Sequence, residues 1–499
     1  MSEEDRWLRR NFSFDAVGAL GTGLFNALVV NFLSVIARKQ GADPVLLAAL
    51  AAAPFAANTL SIFFGVCQPP QDGRVRFVST LLIVGRALFL GGLFISGPLA
   101  LLSMALGMWL TMAMVSPLQV DIWRGSYPQR MRARVLGYLR VLQTSAGAIA
   151  APLGGLLLER FGPGPMLSLG AALGILGAAG FSRVRSSPVL ASQRFTPFAS
   201  LRLLAEHASY RRLVAAWVVW GFGAFMATPL YALVLVDQLH ASYSDVGLLQ
   251  LAGALSGLLA YFGLGQVLDR AGARQAAVVT SFGFLLVAIV PLVYVLAPNL
   301  TVLALGYVLL SVGTSANDLG WQLALITRLP DEHRLRYQAA HTSITGLRGV
   351  AAPFVGSAIL GLGFGVDTVL VLSAILGVIG AALMAGALGV DVRGSRLGRA
   401  VLGNAGGPGG DFAAAHRVVW SRPSVLEAPA LDIDQVLLAR QQRAAADGLG
   451  RDGRAQRGFE AAHELLHDPA WQPVTLARVD EPEQDQVSQQ HPPVGTKTS

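Results

Sequence analysis

Twelve blocks of predominantly apolar residues fill this chain from residue 14 to residue 390. Each is roughly 20 residues or longer, enough to cross the hydrocarbon core of a bilayer as a helix. Their apolar residues do not alternate with polar ones, as a half-buried strand would require. Lipid offers no partner to backbone N–H and C=O groups, and the blocks are too long for barrel strands, so helix is the conformation left to them. The pattern predicts spans at 14–37, 43–67, 76–97, 99–123, 134–158, 163–183, 212–237, 244–268, 275–297, 300–327, 339–363 and 366–390. Only 14% of the chain is charged, where a soluble chain carries about a quarter. The fold class expected is an all-α polytopic membrane protein.

Charge orients the spans. If the N-terminus lies inside, the inner loops collect Arg74, Arg76, Arg124, Arg130, Arg132, Arg134, Arg270, Arg274, Arg334 and Arg336, among others, while the outer loops hold only Arg38, Lys39 and Arg160. That asymmetry follows the positive-inside rule, which places both termini in the cytoplasm and the chain in the cytoplasmic (inner) membrane as a multi-pass protein. The formal charge of +8 is therefore a matter of topology, and no basic stripe with interleaved aromatics points to nucleic acid. Cys67 is the only cysteine, which excludes an intrachain disulfide. The opening MSEEDRWLRR has mixed charge and no cleavage site, so it reads as a cytoplasmic lead-in and not as a signal peptide. The organisation expected is a cytoplasmic N-terminus at 1–13, a first half at 14–183, a cytoplasmic linker at 184–211, a second half at 212–391, and a largely disordered cytoplasmic tail at 392–499.

The halves repeat one another. Tyr127 to Gly155 is a basic turn that feeds a proline-containing helix with Gly147, Ala151 and Gly155 on one face. Leu329 to Ser357 repeats it, with Arg334 and Arg336 answering Arg132 and Arg134, and Ala-Ala-Pro-x-x-Gly closing at Gly155 in one and at Gly356 in the other. Small residues every fourth position let a second helix approach closely, and Pro152 and Pro353 bend the helix that carries them. Between spans eight and nine the chain reads Gly265-Gln-Val-Leu-Asp269-Arg270-Ala-Gly272-Ala-Arg274. This resembles the G-x-x-x-D-R-x-G-x-R loop of the major facilitator superfamily. The matching loop of the first half departs from it, with Pro69 where the Asp belongs. The resemblance implies twelve transmembrane helices in two pseudo-symmetric six-helix halves, moving a small solute by alternating access. It also implies gating roles for Asp269, Arg270, Gly265, Gly272 and Arg274. Span five resembles, in part, the G-x-x-x-G-P-x-x-G-G motif of proton-linked exporters in that family, which adds Gly147, Pro152, Gly155, Pro353 and Gly356 to the gating set.

Polar side chains inside spans are costly in lipid and mark a pathway or a partner. The candidates are Asn26, Asn31, Gln143, Gln250, Asn317 and Gln322, with Trp217, Trp220, Tyr231 and Trp321 as the aromatic part of a lining for a bulky, partly apolar solute. Asp318, well inside span ten, is the acid expected to couple transport to protons, with Arg140 or Arg348 as its partner. Asp15 and the other acids lie nearer span ends, where water solvates them. Arg86 in span three reads as half of a structural ion pair. Span four lacks the arginine that many proton-coupled exporters carry.

These readings point to a secondary active transporter, expected to export an amphipathic compound in exchange for protons. Uptake or facilitated diffusion of a polar metabolite is the alternative. No P-loop is present, and the only lysines are Lys39 and Lys497, so a proton or other ion gradient, or the substrate's own gradient, would drive transport without any cofactor. The expected partners are the small-molecule substrate and the bilayer, with the monomer as the working unit. A different class enters through His463-Glu464-Leu-Leu-His467, which matches the H-E-x-x-H zinc-protease pattern but sits beside Pro469 in a tail without an apolar core. A scaffold that displays its tail is the last alternative.

Overall fold

The computed structural model describes residues 3–64, 73–187, 207–328 and 334–390. Helix accounts for the secondary structure of these residues. The elements are α1 (Glu3–Leu28), α2 (Leu33–Lys39), α3 (Pro44–Phe64), α4 (Arg74–Ala87), α5 (Pro98–Ser126), α6 (Gln129–Phe161), α7 (Pro163–Phe181), α8 (Ala208–Leu233), α9 (Tyr243–Leu296), α10 (Leu300–Arg328), α11 (Arg334–Gly361) and α12 (Val366–Ala387). Among the described residues, 11 segments are long and apolar enough to cross a membrane, and Pro44–Leu60 is a shorter apolar helix in the place of the second span. The protein is a multi-pass membrane protein with the expected all-α architecture.

The departures from the expected spans have local causes. The first span is α1 and α2 joined by a 3-10 turn at Val30–Phe32, with Asn31 at its centre. α1 already begins at Glu3, so the expected cytoplasmic lead-in is, from there on, about the first three turns of the helix. The Asn11 side chain donates to the Arg185 carbonyl (2.8 Å) and accepts from the Arg185 N–H (2.9 Å), which ties that extension to the chain leaving the first half. The basic turns are likewise helical, since α6 starts at Gln129 and α11 at Arg334. Gly97 and Gly162, at φ of 114° and 78°, turn the chain ahead of Pro98 and Pro163, which open α5 and α7. Proline suits the first helical position because its missing N–H would have no partner there anyway.

α9 is helical along 54 residues, and a straight helix of that length would measure about 80 Å. It is not straight. Gly257 and Gly283 both lie against α10, the first beside Ser311 and the second beside Gly313 and Asn317, so the chain reverses between them. α9 thus supplies two spans. A capping box closes its start: Ser242 Oγ accepts from the Asp245 N–H (3.1 Å), and the Asp245 carboxylate accepts from the Ser242 N–H (2.9 Å).

In the first half α1 packs on α6 and α7, and α5 packs on α3 and α4; in the second, α8 packs on α11 and α12, and α9 on α10 and α12. Between the halves α6 runs along α9 and α3 along α11. Span five on span eight and span two on span eleven is the pairing that a two-fold relation between repeats produces. The ends bearing Glu3, Ser126 and Ala208 form one face of the bundle, termed the terminal face; the opposite ends form the distal face. The largest apolar cluster draws on both halves and includes Phe32, Leu47, Leu158, Leu230 and Val246.

Candidate functional site

A cavity of about 460 Å³ lies within the first half, lined by α1, α4, α5, α6 and α7. It runs from Asn26 and Trp109 at mid-depth toward Gln119 and Trp123 near the terminal face. Its volume falls in the range of pockets that hold drug-sized ligands, roughly 300–1,000 Å³. Two expected pathway residues line it, Asn26 and Gln143, and so does Arg140. The wall is mixed: Phe25, Met108 and Met112 are apolar, and Thr22 and Thr111 carry hydroxyls.

Asp15 also lines the cavity, and here the sequence-based expectation needs correction. The residue is 4% exposed and is not solvated at a span end. Its carboxylate accepts from Trp123 Nε1 (3.1 Å) and from the Tyr127 hydroxyl (3.0 Å), and among the described residues no cation pairs with it. Arg74 and Arg124 pair with Asp121 at 3.3 and 3.7 Å, Arg132 donates to the carbonyls of Arg124 and Tyr127, and Arg183 stacks over Phe14. Burial first, then the Asp15 charge, pushes the Tyr127 phenol well above its ordinary value, so it remains a donor. The signal missed was Tyr127 itself, whose ring closes over Asp15 once α5 ends at Ser126.

Arg86 is the second correction. It is 4% exposed, yet among the described residues no carboxylate meets it. Its guanidinium donates to the Gly174 carbonyl and to Thr22 Oγ1 (2.7 Å), and lies 5.6 Å from the centre of the Phe25 ring. Among the described residues the expected ion pair does not form.

The halves are sewn together at the distal face. Arg38 and Asp237 form a bidentate pair, Nε at 3.0 Å from both oxygens and Nη2 at 2.7 Å from one. Glu159 accepts from the Tyr243 N–H (2.9 Å), Lys39 sits 4.2 Å from the centre of the Tyr243 ring, Gln250 donates to the Asn31 carbonyl (3.2 Å), and Ser357 to the Pro44 carbonyl (2.7 Å). Asn31 and Gln250, expected in the pathway, are therefore seam residues in this state. The small-residue faces make the seam possible. A Cβ on Gly155 would run into the Tyr243 carbonyl, and one on Gly247 would stand 2.6 Å from the Ala151 carbonyl, with the Pro152 Cα beside it. In the repeat, Gly346 and Gly349 take Thr59 and Phe55 of α3. Gly147 faces α1 at Gly23, and Gly356 faces Met226 within its own half. Pro353 lies inside α11, as Pro152 does in α6.

The aromatic residues of the second half lie elsewhere than expected. Trp217, Trp220 and Trp321 form a packed cluster with Phe284 and His341, ring centres 4.4 to 5.5 Å apart. Arg348 is 4% exposed and lies inside it, 4.9 Å from the centre of the Trp217 ring, and donates to the Trp217 carbonyl. Tyr231 stacks on Tyr294 at 4.1 Å. None of these residues lines the described cavity. Indoles pack because they are large and flat, and amphipathic sequence alone does not say whether they face a cavity or a core.

Asp318 is exposed, in contrast to the desolvation expected from its place in the span, and its partner is neither Arg140 nor Arg348. It accepts from the Tyr261 hydroxyl at 2.6 Å. Arg140 of the first half is close enough to Tyr261 to act on it electrostatically. Asn317 beside it is 5% exposed, and neither its amide nitrogen nor its oxygen has a partner among the described residues. Gly265 is helical with open space around it. The side chains of Asp269, Arg270, Gly272, Arg274 and Gln322, the loop with Pro69, the tail and its His463–His467 motif lie outside the described residues.

Residues 213–438 match the model of the Major Facilitator Superfamily. Among solved structures, the chain resembles a point variant of the nucleoside transporter NupG at 13% identity and a TM-score of 0.62, covering 76% of this chain and 99% of that one. A bacterial homologue of the human lysosomal transporter Spinster, in an inward-facing and occupied conformation, aligns at 16% identity and a TM-score of 0.56, over 79% and 98%. A POT family transporter in complex with a thioalcohol-conjugated peptide aligns at 13% identity and 0.55, over 76% and 95%. At these identities the likeness is one of fold. No curated protein matches the sequence.

Proposed function

We propose that this chain, a transporter of the major facilitator superfamily and not an enzyme, exports an amphipathic small molecule in exchange for protons by alternating access. The observation that carries this reading is a pair of helical halves seamed at the distal face, with a cavity inside the first half that extends toward the terminal face. With the positive-inside orientation, the terminal face and both termini lie on the cytoplasmic side of the inner membrane, and the cavity faces the compartment from which an exporter loads.

Asp15 is the proton site in this account, replacing Asp318. It lies in the wall of the cavity, buried between two neutral donors with no cation paired to it among the described residues, where a carboxylate can exchange protons with the cavity. Asp318 and Tyr261, with Arg140 of the first half within electrostatic range of Tyr261, instead act as a gate whose partners exchange when the halves rock. Proteoliposomes with and without an imposed pH gradient test the proposal on a panel of candidate solutes. Accumulation driven by the gradient supports it, and flux that ignores the gradient overturns the coupling. Uptake of a polar solute is the second reading, favoured by the nucleoside and peptide transporters among the solved relatives. The direction of pH-driven flux separates the two.

A further inference from the structure

We propose that the cavity of the first half recognises its ligand through an anionic group, a carboxylate or phosphate, held by Arg86. This rests on the reading of the cavity as the substrate site. The guanidinium carries five N–H donors, and among the described residues two hydrogen bonds to neutral acceptors, Gly174 and Thr22, are what the protein supplies. Its seat is made for it: a Cβ on Gly174 would stand 2.8 Å from Arg86 Cδ. A buried charge with neutral neighbours is costly, and neutral acceptors offset only part of the lost hydration. An anion entering the cavity completes the set, and guanidinium matches planar carboxylate and phosphate oxygens in geometry as well as charge.

The rest of the wall fixes the class further. Arg140 adds a second positive charge to the lining, and the aromatic and methionine wall suits an apolar body. Asp15, the one acid among the described residues of the lining, is seven residues from Thr22 along α1, about 10 Å away, and already accepts from two donors. The ligand is therefore a small amphipath with an anionic head toward Arg86 and an apolar or aromatic body toward Met108 and Trp109.

The test is equilibrium binding to the full chain in phosphatidylcholine nanodiscs, with four matched probes: 2-naphthoate, 2-naphthyl phosphate, 2-naphthylmethylamine and 2-naphthol. The two anions should bind saturably and the amine and alcohol at least about ten-fold more weakly, the size expected for a charge-assisted pair. Arg86→Gln should remove that preference, and Arg86→Lys should keep part of it, with thermal unfolding showing that both variants fold. Equal binding of all four probes to the unaltered chain, which needs no variant, overturns the proposal; so does unchanged anion binding by Arg86→Gln. Repeating the titration with phosphatidylglycerol in the discs should leave the affinity unchanged. A fall there assigns the anion at Arg86 to a lipid headgroup and overturns a soluble ligand. Binding without transport in vesicles would leave the site standing and remove the transport reading, so the two failures are distinct.

Discussion

Arg38 and Asp237, 199 residues apart in sequence, form a bidentate ion pair that joins the two halves at the distal face. Their side chains are 26% and 38% exposed, and pairs of that kind contribute about 1 kcal/mol or less. That is a factor of roughly five in an equilibrium. Such a clasp biases the halves toward distal closure without fixing them there.

The first prediction follows from that magnitude. Arg38→Ala or Asp237→Ala should shift the distal-closed population by a few-fold, and exchanging the two charges should restore most of it. A double-mutant cycle on accessibility of a distal cysteine measures the coupling. Coupling near zero would remove the clasp from the account.

Gly155 should be far less forgiving. A side chain there meets the Tyr243 backbone, which cannot swing aside as a flexible side chain can. Gly155→Leu should splay α6 from α9, cut transport by more than ten-fold (more than about 1.4 kcal/mol), and leave insertion intact. Transport at the unaltered rate in this variant would mean that the seam is not part of the cycle.

Asp15→Asn should abolish accumulation driven by a pH gradient while counterflow exchange continues, because the amide still fits between Trp123 and Tyr127 but no longer takes up a proton. Tyr127→Phe should weaken coupling less, since one of two donors remains. Asp318→Asn and Tyr261→Phe should resemble each other, slowing exchange itself. If Asp318→Asn alone loses the pH response, the roles assigned to the two acids are reversed.

Much of the fold is legible in the sequence because lipid narrows the choices: long apolar blocks must be helices, and the repeated Ala-Ala-Pro-x-x-Gly segments mark the corresponding helices of the halves. The site is legible only in part. Asn26, Gln143 and Arg140 were recognisable because polar groups are rare in spans. Asp15 was not, because its burial depends on Tyr127, 112 residues away. Arg86 suggested an acid partner, and the structure uses the Gly174 carbonyl, a group that every residue has. The Arg38–Asp237 pair depends on the packing of the halves, and no local pattern announces it. The tryptophans of span seven misled for a physical reason, since a ring that suits a binding wall suits a helix interface equally well.

Alternating access is the central claim, and distance measurement by pulsed electron spin resonance tests it most directly. With Cys67 replaced by serine, spin labels at Val45 and Leu362, both exposed at the distal face, report on the closure between α3 and α11. The account predicts two distances in nanodiscs, with the longer population changing between acidic and alkaline buffer, and loss of that pH response in Asp15→Asn. A single distance, the same in both buffers and in the presence of 2-naphthoate, would contradict it and leave a static membrane scaffold in its place.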